Sequence, residues 1–353
     1  MSLDYYHREA DLEVDRDRIV ATWALGLEGL VDQVADAKFR HSYVDNPAGA
    51  GMCLLLHQQS VDTAIGAQGL ISRIFFAGQD QFRVATLADF VVAPEHRSLG
   101  PALILMRACI ELSREHFEFA YGTPNDKSVA ILNRAGIRPF GNLTRYTKLI
   151  RSQSYLSARV LRWVASPVAA VADAAIACAD IVRNAMFASH YRWSEKTEFG
   201  EEFAKVWEGR QSDMVTSERS PRTLRWRYST AEHSVPWHFS LATDRSGTPI
   251  GYVIWRQVKG IAMVSDFFCS EMEKSIHALL QSFVVYVRKF PVQKVSLEFF
   301  GRPSIGVALR ACGFAPREQS SIVLVDHGKG QGDRLLASAS RMFMTGFDRD
   351  HEI

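Results

Sequence analysis

The chain has 353 residues, of which 47% are hydrophobic and 23% charged, and its 41 Lys and Arg against 39 Asp and Glu leave a formal charge of +2. That length exceeds one ordinary core and points to about two globular domains, while the balanced charge supplies no field for following a nucleic acid. Five cysteines (Cys53, Cys109, Cys178, Cys269, Cys312), odd in number, far apart and never in a CxxC pair, suggest neither a disulfide framework nor a thiolate zinc site and read as reduced core residues.

The opening "MSLDYYHREADLEVDRD" has no apolar signal core, so a cytoplasmic location is expected. A strand is expected over Tyr5–Ala10 and helices between Asp15 and Ala37. Strands follow at Met52–His57, Ala64–Phe76 and Phe82–Val92, then a helix from Gly100 to His116. The short strand "FEFAYG", a helix opening at "NDKSVAILNRAG" and a strand or hairpin from Ile137 to Ile150 complete a mixed α/β layer. The apolar run from Val164 to Asp180 is interrupted by Pro167 and Asp173 and is shorter than the ~20 residues of a membrane span. It reads as a buried or linker helix, the alternative being a helix lying on a membrane surface or a partner.

The second half repeats marks of the first in the same order. "FRHSY" ending at Tyr43 parallels "LRWRY" ending at Tyr228, and Gly66 parallels Gly251, both 185 residues apart. Asp89 in "LADFVV" parallels Asp266 in "VSDFFC", and Gly136 parallels Gly313, both 177 apart. Two constant offsets separated by one net deletion indicate an internal duplication, with residues 151–191 as a helical connector.

The stretch "VVAPEHRSLGPALILMRAC" joins a strand to a helix through a short turn. The first N–H groups of such a helix are unpaired and face the turn, which makes it an anion site. Pro101 suits the first helical turn, Gly100 lets a phosphate approach the backbone, Ala102 leaves the helix start uncrowded and Arg97 adds charge. The glycine-rich run "GKGQGD" at 328–333 has no strand-helix-strand unit after it and reads as a linker rather than a dinucleotide site.

Val92, Pro94 and the pattern Arg97-x-x-Gly100-x-Ala102, followed by Asn125 and "AILNRAGIRPF", resemble the acyl-coenzyme A signature of the GNAT (GCN5-related N-acetyltransferase) superfamily over Leu3 to about Ile150. The resemblance implies two tandem GNAT-like folds of α/β class with a mixed sheet. An acyltransferase domain would span 1–150, a degenerate copy without the phosphate loop 192–326, and a tail 327–353. It implies acetyl-CoA or another acyl-CoA held by the backbone of Val91 and Val92, by the loop Arg97, Ser98, Leu99, Gly100, Pro101 and Ala102, and by Asn125. The implied activity is N-acetyl transfer to an amine of a small metabolite or amino sugar. A longer acyl or aminoacyl donor, or a silent acyl-CoA sensor, stand as alternatives; no metal is implied.

Acyl transfer needs a neutral amine, and a free ammonium with a pKa of about 10 is mostly protonated at pH 7. Asp89, two residues before Val91 on the same strand, is the candidate base; it reads equally as a group that satisfies neighbours, and His57, Glu95 and His96 are weaker alternatives. Members of the family often carry a tyrosine where this chain has Leu132. Tyr121 or Tyr146 would then protonate the departing thiolate, or it leaves unaided. Arg225, Trp226 and Tyr228 of the second copy either line the acceptor pocket or pack between the halves, and the end "FMTGFDRDHEI" is expected to be a solvated terminus.

Overall fold

The computed structural model describes residues 4–27, 32–59, 61–152, 162–186, 191–229, 235–327 and 339–350. The first half comprises β1 (Tyr5–Glu9), α1 (Arg16–Ala24), α2 (Asp32–Phe39), β2 (Met52–Gln58), β3 (Val61–Ala77), β4 (Asp80–Val92), α3 (Leu99–His116), β5 (Phe119–Gly122), α4 (Asp126–Arg134) and β6 (Pro139–Leu149). A π-helical turn over Arg40–Val44 extends α2. After α5 (Arg162–Met186) come β7 (Arg192–Lys196), α6 (Glu201–Glu208), β8 (Val215–Ser217), α7 (Pro221–Tyr228) and β9 (Trp237–Thr243). The rest is β10 (Pro249–Val258), β11 (Ile261–Cys269), α8 (Met272–Tyr286), β12 (Lys294–Gly301), α9 (Pro303–Ala311), β13 (Ala315–Asp326) and β14 (Met342–Thr345).

β3 and β4 form a long hairpin whose turn places Gly78 at φ 67, a conformation glycine adopts without a Cβ penalty. Both faces of the hairpin are covered, which is why its strands are nearly continuously apolar. Leu70, Ala85 and Leu87 pack on Leu105, Met106 and Cys109 of α3, while Ile71, Ala88 and Val91 pack on Ile19, Trp23 and Phe39 of α1 and α2.

The sheet runs β1-β2-β3-β4-β5-β13-β6-β12-β11-β10-β9-β7. The halves therefore exchange their last strands: β13 pairs with β5 and β6 pairs with β12, both antiparallel, and β6 and β13 pair with each other at the centre. The duplicated marks occupy equivalent places. Gly66 lies opposite Val92 and Gly251 opposite Cys269. A Cβ at either would press on backbone, 2.9 Å from the Val91 carbonyl oxygen or 2.6 Å from that of Phe268. Gly136 and Gly313, with φ 91 and 84, stop α4 and α9 in the same left-handed manner.

Three expectations need correction. The C-terminal stretch is not solvated, because β14 pairs with β12 and β8 and buries Phe343, Met344 and Phe347, while Arg219 holds Asp348 at 2.9 Å. Cys178 is exposed on α5, unlike the other four cysteines. The run Val164–Asp180 belongs to α5, which lays one side on α8 and anchors Asp180 between Lys148 at 2.9 Å and Arg288 at 2.6 Å. Its outer side leaves Val171 and Met186 each 72% exposed, so of the two readings, buried or linker helix, the fully buried one does not hold. No helix among the described residues is long and apolar enough to cross a membrane. The "GKGQGD" run and parts of the 151–191 connector lie outside the described residues.

Candidate functional site

β4 and β5 run parallel but are in register only from Val84 opposite Phe119 to Thr86 opposite Tyr121. Beyond that point β4 keeps only β3 as a partner, so one edge of β4 from Leu87 onward carries peptide groups without a strand partner. A bulge sets the divergence: Asp89 and Phe90 together stand against Gln68, and Asp89 takes φ 54, where a short polar side chain is tolerated. The chain then turns through Pro94–His96 and Arg97 into α3, whose N-cap Ser98 makes no side-chain capping bond. Arg97 folds back over the turn, donating from Nε to the Val92 carbonyl at 3.0 Å and from Nη2 to the Leu25 carbonyl at 3.2 Å.

A groove of about 850 Å³ follows this opening. Leu25 and Gly26 form one wall, Val91, Val92, Arg97, Ser98 and Ala102 the floor, and Asn125, Lys127, Ile131 and Arg134 of α4 the other wall. Asn125 caps α4 by accepting from the Ser128 N–H at 3.0 Å, and helical spacing then brings Lys127, Ile131 and Arg134 to one face while Leu132 points into the core. Gly26 is required for closeness, since a Cβ there would sit 2.8 Å from Val91 Cγ1 and 3.1 Å from Arg97 Nη2. Arg97, Lys127 and Arg134 line the groove and no described lining residue is acidic, a lining suited to an anionic ligand.

At its inner end the groove meets a smaller pocket of about 140 Å³, the two sharing Leu27, Phe90, Asn125 and Ser128. Asp89, Lys38 and Gln68 give this pocket its polar side and Leu87, Met106 and Leu132 its apolar one. Asp89 is 7% exposed; Lys38 ion-pairs with its Oδ1, and Tyr43 donates to its Oδ2 at 2.6 Å. Burial and the neighbouring Asp89 charge push the Tyr43 hydroxyl well above its ordinary pKa, so it stays a donor. Tyr43 reaches Asp89 across Gly69, where a Cβ would fall 1.7 Å from its hydroxyl. The second half closes the pocket with Val323 of the exchanged β13 and with Asp350, whose Oδ1 accepts from Thr123 Oγ1 at 3.4 Å.

The same overall fold recurs in solved structures. A GCN5-related N-acetyltransferase from Anabaena variabilis superposes with a TM-score of 0.62 at 13% identity, covering 92% of this chain and 73% of that one. One from Kribbella flavida gives 0.59 at 14%, covering 92% and 72%, and a tandem GNAT protein from the clavulanic acid biosynthesis pathway gives 0.51 at 14%, covering 93% and 100%. The chain has the GNAT fold. No protein-family model matches the sequence, and no curated protein matches it at a significant level.

Within the GNAT fold, the structure gathers Asp89, Val91, Val92, Arg97, Ser98, Ala102 and Asn125 along one groove and pocket, with Leu99, Gly100 and Pro101 in the first turn of α3 beside it. The two tyrosines are not brought there. Tyr121 is buried under β4, its hydroxyl donating to the Asp348 carbonyl at 2.9 Å and pushed up to about 12 by burial. Tyr146 lies in the second half's core, because β6 has crossed over to pair with β12. Trp226 packs between the halves, stacked on His41 at 4.6 Å and donating to the His41 carbonyl at 2.9 Å. Tyr228 donates to Ser265 at 3.1 Å and Arg225 to the Phe199 carbonyl at 3.0 Å. His57 stacks on Tyr6, His96 meets the Tyr5 hydroxyl at 3.2 Å, and Glu95 is exposed. Sequence reasoning missed Lys38, Tyr43, Gly26, Lys127, Arg134 and Asp350. The spacing of Lys127 and Arg134 on α4 was a usable signal; nothing near Asp350 in the chain marked it.

Proposed function

We propose that this protein is an acyl-CoA-dependent N-acyltransferase that transfers a short acyl group, acetyl by preference, to an amine of a small molecule. The observation that carries the reading is the groove, with no acidic residue among its described lining, that leads through the opened β4 edge to a small pocket holding a carboxylate. The residues present fit the cofactor. The uncapped start of α3 with Arg97, Lys127 and Arg134 suits the phosphates, the unpaired edge of β4 suits the pantetheine amides, and the narrow pocket suits a short acyl end. When bound, acyl-CoA supplies the thioester whose carbonyl the amine attacks.

The chain's own residues do the rest. The Asp89 carboxylate takes the proton that the attacking amine must lose; Lys38 and Tyr43 hold both of its oxygens and orient it toward the pocket. Leu87, Met106, Leu132 and Val323 exclude water from the acyl end. With Leu132 in the position of the family's tyrosine, the thiolate leaves unaided, which a thiol of pKa about 8.5 permits. Calorimetry with CoA is expected to show one site that Arg97→Glu abolishes, and acetyl-CoA with a panel of small amines is expected to release free thiol. No CoA binding refutes the reading; binding without thiol release converts it to that of a sensor.

A further inference from the structure

Where the two halves meet, the buried charges do not balance. Arg219 is fully buried and paired with Asp266 at 3.1 Å and Asp348 at 2.9 Å, and Thr345 and Tyr252 donate to Asp266 as well. Two further guanidinium groups lie beside this network. Arg73 of β3 is 3% exposed and Arg227 of α7 is 2% exposed, yet neither has a carboxylate within ion-pair distance among the described residues. Arg73 rests between the rings of Trp226 at 5.2 Å and Phe347 at 5.3 Å, and its one side-chain hydrogen bond among the described residues, from Nη2 to the Phe347 carbonyl, is long at 3.5 Å. Arg227 spends Nη2 on the Arg349 carbonyl at 2.8 Å. Among the described residues, Arg73 Nε, Arg73 Nη1 and Arg227 Nη1 are buried without an acceptor, and His41 Nε2 is buried without a partner. Arg73 and Arg227 both lie near enough to help burial hold His41 down at about 4, so the imidazole is neutral and adds no negative charge. Arg73 also faces Tyr121, which burial keeps protonated, and feels the charges of Asp348 and Arg219, which are already paired with each other. Among the described residues, three buried guanidinium groups thus face two carboxylates, with donors left over on Arg73 and Arg227. A buried cation is stable only when paired and hydrogen-bonded.

A surface cavity of about 570 Å³ between the π-helical turn and α7 reaches the Trp226 ring from outside, with Arg222, Arg225 and Asp45 also in its lining and Asp45 3.8 Å from Arg40; Arg73 and Arg227 lie behind that ring and do not line the cavity. Arg73 and His41 contact the same Trp226 ring.

We propose that this seam is an anion site: the cavity admits a carboxylate or comparable small oxyanion, which displaces the Trp226 edge and accepts from the idle N–H groups of Arg73 and Arg227. Arginine is suited to this because it stays charged and offers several fixed donors. The π-helical turn that presents His41 to the seam also presents Tyr43 to Asp89, so a bound anion steadies the helix that orients the proposed base. The same chemistry comes from two sources, an acidic group on the acceptor or a free anion. Only the first rests on the transferase reading.

The test is thermal unfolding of the full chain titrated with acetate and with inorganic phosphate against chloride at matched ionic strength, in wild type, Arg73→Met and Arg227→Gln. A saturable rise in Tm of wild type with either oxyanion, lost in the variants, establishes a free-anion site without reference to catalysis. If free anions give no rise, acyl transfer to acceptors with and without a carboxylate decides. A preference for the acidic acceptor, with a KM raised tenfold or more in Arg73→Met or Arg227→Gln at similar kcat, establishes the acceptor as the source. No anion-dependent rise together with no such preference overturns the site. If Arg73→Met fails to fold, Arg227→Gln carries both arms.

Discussion

Asp89 owes its position to a single strained residue. A left-handed φ of 54 in the middle of β4 turns its carboxylate toward Lys38 and Tyr43 while Val91 and Val92 continue along the groove floor. If the carboxylate takes the amine's proton, Asp89→Asn lowers kcat by about a hundredfold or more, because general-base assistance is worth that much, and leaves CoA affinity nearly intact. Equal losses in both would instead mark Asp89 as a support for the pocket. His41 allows a second check at this scale. Burial, then Arg227 and Arg73, lower it from an ordinary 6.5 to about 4, so the unfolded chain takes up a proton first as the pH falls. Its contribution is whole above pH ~6.5 and is lost toward pH ~4, up to about 3 kcal/mol if fully expressed. Urea melts across that window are expected to show a shallower decline for His41→Gln than for wild type.

At the scale of the element, the turn into α3 separates folding from binding. Gly100 lies within the helix, has no positive φ, and a Cβ there would meet nothing within 4 Å, so the backbone does not require glycine. Replacing it with alanine raises helix stability by up to about 1 kcal/mol. If glycine is there to let phosphate approach, Gly100→Ala weakens CoA binding by about tenfold while Tm stays level or rises. Unchanged affinity would place the phosphates elsewhere. The corresponding turn of the second half is shorter: β11 reaches α8 through Ser270 and Glu271 alone, and the Glu271 N–H is spent on the Gly209 carbonyl.

The whole molecule is tied together by the exchange of β6 and β13 and by the returning tail. A fragment of residues 1–150 would present β6 without either of its neighbours and β5 with an open edge, and would lack Val323 and Asp350 from the pocket. Unpaired edges of this kind drive aggregation. That fragment is expected to be insoluble or self-associated, and the full chain to unfold in one transition that tryptophan fluorescence and circular dichroism report together. A monomeric fragment with dispersed amide resonances would show that the exchange is dispensable.

Local chemistry was legible because it is written in residues close along the chain. Alternation and apolar runs marked β2 to β4, the Arg97–Ala102 turn announced α3, and Gly136 and Gly313 stop their helices wherever the rest of the chain lies. The duplication was legible for the same reason, since Gly66 and Gly251 answer one local demand for a bare Cα beside a carbonyl. Which half each last strand completes was not, because β6 and β13 occupy matching places in the two repeats and their own patterns suit either sheet; contacts far apart in sequence decide it. That choice removed Tyr146 from the site and brought in Val323. The tail's "MFMT" is too short to carry a period of its own, and only the open edges of β8 and β12, with Arg219 needing a second carboxylate, make it a buried strand that delivers Asp350 to the pocket.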